Sequence, residues 1–167
     1  VPYTINGVVS WNGQLALWGD GNTLKFAEPG PYGWESYPSW LYYDVHSFSG
    51  NIKAATELNG QLFVFGRQWG VKLLGSAAAP EEDPLGQGVG AYTSRSITEH
   101  GDLIFTFNGK LWAIDTAGNA QDFGQAVQDN LPTHENVRLE VNSKLASLFV
   151  IDETSGEVLR LHFPTGA

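Results

Sequence analysis

Four histidines, eighteen carboxylates and no cysteine bound the chemistry open to this chain. Structural zinc sites take their ligands at short spacings. His46, His100, His134 and His162 lie far apart in sequence, so they are assigned no metal. Glycoside hydrolysis needs two carboxyl groups at a defined separation. Nothing in the sequence sets such a pair among the acidic residues, and no Gly-x-Ser-x-Gly elbow offers a nucleophile. Gly86-Gln87-Gly88-Val89-Gly90 has the glycines of a phosphate loop but not their spacing. No lysine follows it and no helix opens after it. Asp20-Gly21-Asn22 and Asp115-Thr116-Ala117-Gly118-Asn119 lack the alternating oxygens and closing Glu of a calcium loop. Both read as hairpin turns. The sequence therefore assigns no catalytic residue, no metal ligand and no cofactor.

Recognition has a stronger candidate in the aromatic set Tyr32, Trp34, Tyr37, Trp40, Tyr42 and Tyr43. Such side chains anchor protein interfaces, stack on sugar rings or pack a long loop onto its own sheet. All three readings stay open at the sequence level.

The elements that position these residues follow from a repeat. Asn12-Gly13-Gln14-Leu15-Ala16-Leu17-Trp18 returns as Asn59-Gly60-Gln61-Leu62-Phe63-Val64-Phe65. Weaker copies begin at His100-Gly101-Asp102-Leu103 and Asn142-Ser143-Lys144-Leu145. Taking Leu15, Leu62, Leu103 and Leu145 as equivalent core positions gives spacings of 47, 41 and 42 residues. His100 then reads as a turn residue. A period of roughly 40–45 residues marks propeller blades, which bury their faces by stacking. The expected fold is all-β and propeller-like, with four blade repeats of 41–47 residues in a single domain over 1–167.

Each repeat contains a hairpin, turning at Gly19–Asn22, Gly66–Gln68, Asn108-Gly109 and Asp152–Gly156. Further strands are expected from Thr4–Trp11, Asn51–Leu58, Ala91–Thr98 and Asn136–Val141. Prolines and glycines bar a strand from Glu28–Ser39. Ser76–Gly90 reads as an exposed, mobile loop. One short helix is expected near 123–131, with Asp122 as its cap and Phe123, Val127 and Leu131 on one face.

The net charge of −9 argues against a broad nucleic-acid surface, which needs clustered Lys and Arg. No apolar run approaches the roughly 20 residues of a membrane span. The chain lacks Met throughout, its first position included, and reads as part of a longer protein.

A set of phrases in fixed order adds a resemblance. It begins with Leu24-Lys25-Phe26-Ala27-Glu28-Pro29-Gly30, Ile52-Lys53-Ala54-Ala55 and Leu62-Phe63-Val64-Phe65-Gly66. Gly70-Val71-Lys72-Leu73-Leu74-Gly75, Gly88–Ile97, Leu103-Ile104-Phe105 and Leu111-Trp112-Ala113-Ile114-Asp115 follow, then Arg138-Leu139-Glu140 and on to Phe163. Over Leu15 to Phe163 the chain resembles the propeller region of tailed-bacteriophage tail proteins, the tail-nozzle or packaged-DNA stabilisation proteins below the portal. The resemblance implies a structural virion protein of the tail or head-to-tail connector, lining the route of DNA ejection. It also implies a ring of identical subunits, neighbouring tail or connector proteins as partners, and DNA that passes without tight binding. The alternative is a glycan-binding propeller lectin or adhesin acting through Trp34, Trp40 and the neighbouring tyrosines.

Overall fold

The computed structural model describes residues 4–30, 33 and 36–164. Its strands form where turn chemistry pins them. Asn12 and Gly13 take φ of +53° and +76°, and Asn59 and Gly60 repeat this at +54° and +77°. Two successive left-handed residues make a type I′ turn, whose twist matches that of the strands it joins. Hence β1 (Gly7–Trp11) pairs β2 (Gln14–Trp18) with Trp11 opposite Gln14. Likewise β5 (Ala54–Leu58) pairs β6 (Gln61–Phe65) with Leu58 opposite Gln61.

Four antiparallel sheets result. The first adds β3 (Thr23–Phe26) and β4 (Tyr42–Asp44) in the order β1-β2-β3-β4. The second adds β7 (Gly70–Ser76) and β8 (Ala79–Pro84) beyond β6. The third runs from β9 (Ile97–His100) through β10 (Leu103–Phe107) and β11 (Leu111–Ile114) to β12 (Ala120–Asp122). The fourth has three strands, β13 (Val137–Asn142), β14 (Ser147–Asp152) and β15 (Val158–His162).

The sheets stack in chain order as propeller blades. One apolar cluster joins the first sheet to the second, another the second to the third, and a third cluster the third to the fourth. The four sheets thus follow one another along an arc, and among the described residues no apolar cluster joins the fourth sheet back to the first. The opening strands lie innermost, with β1 packed on β5 and β9 on β13.

A chemical rule runs along the arc. Successive strand residues point to opposite faces. On β6, Leu62 and Val64 pack toward the first sheet, while Phe63 and Phe65 pack toward the third. On β10, Ile104 faces the second sheet, while Phe105 and Phe107 face the fourth. On β14, Leu148 and Val150 face the third sheet. Each central strand thus turns aliphatic residues backward and larger, mostly aromatic ones forward. Alternation leaves Leu15 and Leu17 of β2, and Phe149 and Ile151 of β14, facing away from every other sheet.

Four expectations are corrected. First, the residues equivalent to Leu15 and Leu62 are Ile104 and Leu148, not Leu103 and Leu145. Leu103 opens β10 opposite His100, as Gln14 and Gln61 open their strands. Leu145 is 44% exposed in a longer turn, where Ala146 supplies the positive φ at +48°. Second, His100 closes β9 and stacks on Phe163 at 4.4 Å between ring centroids. Third, Ser76–Gly90 is no mobile loop throughout, since Ala79–Pro84 pairs along β7. Its prolines are tolerated because β8 is an edge strand, where a missing N–H costs no ladder bond. Fourth, Asp122 ends β12 and caps nothing. The helix is a 3-10 segment at Gln125–Asn130 that follows Gly124, with Val127 outside helical geometry. Phe123 and Leu131 do pack onto the third and fourth sheets.

Candidate functional site

The aromatic set divides along β4, the strand that carries two of its six members. Tyr42 and Tyr43 are neighbours on β4, so they face opposite sides of the first sheet. Tyr42 is 53% exposed on the uncovered side, and Trp40 just before it is 70% exposed. Tyr43 points inward, packs on the cluster between the first two sheets and meets the His46 ring edge-on at 5.3 Å. Tyr37 is half-buried. Tyr32 and Trp34 lie outside the described residues. Of the described members of the set, Trp40 and Tyr42 are left exposed, while Tyr43 is packed against the core.

Tyr43 belongs to a latch that the sequence did not reveal. Glu82 reaches from β8 of the second sheet, and the Tyr43 hydroxyl donates to its carboxylate. The backbone N–H of His46 donates at 2.6 Å and that of Ser47 at 2.9 Å. Burial works to raise the Glu82 pKa, yet hydrogen bonds from Tyr43, Ser47 and His46 outweigh it and hold the carboxyl below its ordinary value. For Tyr43, burial, the bond to Glu82 and its charge act together and push the phenol far up. An acid whose oxygens are taken by three fixed donors is a clamp, not a proton shuttle.

Other seams are fastened similarly. Lys72 is buried on β7, donates to the Ala117 carbonyl of the third sheet at 3.1 Å and lies 3.4 Å from Asp83. The Asn108 amide donates to the carbonyls of Arg67 at 3.0 Å and Gly88 at 2.8 Å. This holds the Gly86–Gly90 loop against the second sheet, and Val89 within it is buried. The Ser96 hydroxyl donates to the Val137 carbonyl at 3.2 Å, joining the third and fourth sheets.

The acid–base pair with the most enzyme-like geometry is His134 with Asp152. Nε2 of His134 lies 3.0 Å from Asp152 Oδ2, and Nδ1 accepts the Asn136 N–H at 3.1 Å. A general base needs one ring nitrogen free for substrate. Here Nδ1 is taken as an acceptor, which makes Nε2 the donor to Asp152, so both are committed. Asp152 also accepts from the N–H groups of Thr154 and Ser155 inside the β14–β15 turn. Partial burial would raise its pKa, but the Ser155 N–H, His134 and the Thr154 N–H lower it to about 2. The pair organises a turn beside a cleft of about 520 Å³ lined by Leu131, Pro132, Val150 and Val158.

A smaller cleft of about 230 Å³ draws on all four sheets and their connections, including Asn6, Asp20, Ile52, Lys53, Thr93 and Glu135. It marks where the blades converge. Among the described residues no three His, Asp or Glu side chains gather to hold a metal ion. No helix among them is long and apolar enough to cross a membrane.

The sequence matches no protein-family profile and no curated protein. Solved structures are similar in fold. The whole chain superposes on a chain of an S. cerevisiae complex of Dbp5 bound to Nup159, Gle1, IP6 and ADP, with TM-score 0.54 and 12% identity. It also superposes over 99% of its length on the N-terminal domain of Nup159, a β-propeller, with TM-score 0.50 and 12% identity. The chain spans 43% and 46% of those two chains, less than half of each. At this identity the likeness shows the propeller fold and no more.

Proposed function

We propose that this chain is a structural, non-catalytic building block of a tailed-phage virion, in the tail nozzle or head-to-tail connector. Identical subunits in a ring and neighbouring tail or connector proteins are its partners, and DNA passes its acidic surface. One observation supports the assembly part of this reading: among the described residues, the exposed large apolar side chains all belong to the first and last blades and their connections. The acidic and histidine side chains with the most elaborate surroundings, Glu82 and His134, are spent on fastening the fold. The tail placement comes from the order of sequence phrases between Leu15 and Phe163. Immunogold labelling of intact tailed particles, with antibody raised against this chain, tests it. Gold below the portal is the expected result, and particles without gold overturn the placement. Specific retention on a glycan array, lost in Trp40→Ala, would replace this reading with the lectin.

A further inference from the structure

Gly86-Gln87-Gly88-Val89-Gly90 has no part in the assembly reading, yet Gln87 and Gly88 form one wall of a cleft between the second and third blades. Both blades have four strands and stand inside the series, so the cleft depends on neither end of it. Its volume is about 360 Å³, within the roughly 300–1,000 Å³ of small-molecule sites. Antiparallel pairing gathers its walls. Each strand reverses the one before, so the β6–β7 turn, the β8–β9 connection and the β10–β11 turn all fall at one end of the two sheets. Gln68, Gln87 and Lys110 stand on these three segments, Trp112 on β11 and Gln128 on the 3-10 segment.

The cleft is held in shape by one buried amide. Asn108 is 6% exposed, and besides its bonds to the Arg67 and Gly88 carbonyls its Oδ1 accepts the Trp112 indole N–H at 3.0 Å. The two loops and the indole ring are thus fixed to one another, and the ring, half-buried against the seam core, borders the cleft. Fixing the binding groups in advance lowers the entropy lost on binding. Other groups are left to spare. Gln68 and Gln87 are exposed and make no side-chain hydrogen bond among the described residues. Gln128 donates through Nε2 to the Gly109 carbonyl at 2.7 Å, while its Oε1 is buried without a partner. An acceptor left in that state costs free energy that an entering hydroxyl would recover.

We propose that this cleft binds a neutral oligosaccharide, with one sugar ring against Trp112 and its hydroxyls on the amides of Gln68, Gln87 and Gln128. A primary amide both donates and accepts, as does a sugar hydroxyl, so the two pair in either direction. The C–H face of a sugar ring packs on the apolar body of an indole. The lining also argues against other ligands. Among the described residues that form it none is Asp or Glu, in a chain with 18 of them, so a cation finds no counter-charge. Lys110 is its one cation, too few for a phosphate chain. Trp112 is its one large apolar side chain, too few to seat the side chains of a peptide. The inference is independent of the tail placement.

An array of neutral oligosaccharides, built from hexoses, deoxyhexoses and N-acetylhexosamines, tests it with the purified chain. The parent chain should be retained on a subset of them. Gln68→Ala with Gln87→Ala removes two exposed amides that fasten nothing in the fold, as circular dichroism will verify, and should weaken retention about tenfold. In nitrogen-edited NMR spectra the retained oligosaccharide should shift the Trp112 indole signal, identified as the one missing from Trp112→Phe. Retention on no neutral glycan, retention unchanged in the glutamine pair, or an unmoved Trp112 signal each overturns the site. Retention lost in Trp40→Ala but kept in the glutamine pair moves the sugar to the lectin surface and overturns it too. The particle labelling is untouched by the glutamine pair, so the two readings fail separately.

Discussion

The Tyr43 hydroxyl and the Glu82 carboxylate are joined by a hydrogen bond across the seam between the first and second blades. Tyr43 stands on β4 and Glu82 on β8, the outermost strand of each sheet. The seam is therefore tied at its rim as well as through its apolar centre.

Replacing Glu82 with Gln removes the charge and one acceptor oxygen while three donors stay in place. Unmade bonds to half-buried donors cost about 1–2 kcal/mol after solvent screening. Urea unfolding of Glu82→Gln at pH 7 should show a loss of that order. The pH dependence has a definite sign. A carboxyl held below its ordinary pKa of 4.5 contributes fully above that value and loses its contribution as pH falls through the depressed one. The gap between parent and variant should therefore close in acid. A gap constant from pH 7 to pH 3 would show that the latch does not depend on charge.

Asp152 gives a second acid-sensitive point at the other end of the arc. Its pKa moves from an ordinary 3.8 to about 2. Its stabilisation is complete above pH 3.8 and is lost as pH falls toward 2. Asp152→Asn should flatten the acid limb of the urea midpoint plotted against pH. In the same variant, protection of the Thr154 and Ser155 amides from hydrogen exchange should fall.

Two glycines of one loop should respond very differently. A Cβ on Gly90 would sit 2.5 Å from the carbonyl oxygens of both Gly66 and Arg67, and backbone cannot move aside cheaply. Gly90→Ala should cost about 3 kcal/mol or more, in the range of severe steric lesions. Gly88 has open space around it but a φ of +80°. Gly88→Ala should cost only about 1 kcal/mol, the strain of a left-handed alanine. Equal losses in thermal melts would contradict the close packing of this loop.

Much of the fold could be read from turns. Asp-Gly at 20–21 turns a hairpin where one was expected, while Asn-Gly at 12–13 and 59–60, read only as the openings of strands, turn two more because few residues adopt their backbone angles. The phase of the repeat slipped where turn length changed. Trp11 and Gln14 are joined by two residues, whereas Asn142 and Ser147 are joined by four, which displaces Leu145 from the core into the turn. β8 escaped notice because Ala-Pro-Glu-Glu-Asp-Pro has neither alternation nor branched residues, and its pairing depends on β7 alongside. Glu82 escaped with it. The face rule on the central strands was present in the letters, as Leu62-Phe63-Val64-Phe65 and Ile104-Phe105-Thr106-Phe107. It acquired meaning only when the stacking order showed which side each residue faces.

Trp40 and Tyr42 separate assembly from folding. Both are more than half exposed, and exposed side chains usually change stability by less than about 0.5 kcal/mol when truncated. Trp40→Ala with Tyr42→Ala should melt like the parent chain. In particle assembly the same pair should lower incorporation, since aromatic anchors dominate interface energies. Normal incorporation of the double variant would remove these residues from the interface.

Duplex DNA should pass this chain without being held. The net charge is −9, and phosphate binding draws its strength from released counterions at clustered cations. Several cations here already face carboxylates, Arg67 with Glu135, Lys72 with Asp83, and Arg138 with Glu140 and Glu153. Where the blades converge, Asp20 and Glu135 outnumber Lys53. Fluorescence anisotropy of a short labelled duplex, at about 0.15 M salt and up to about 10 μM protein, should stay flat, since acidic surfaces repel phosphate over roughly 8 Å in that salt. Glu135→Lys changes the local balance by two charges and releases Arg67 from its partner. That variant should bind weakly at low salt, with affinity falling by about one power of salt concentration for each phosphate engaged. Submicromolar binding by the parent chain would show that its acidic balance does not govern contact with DNA.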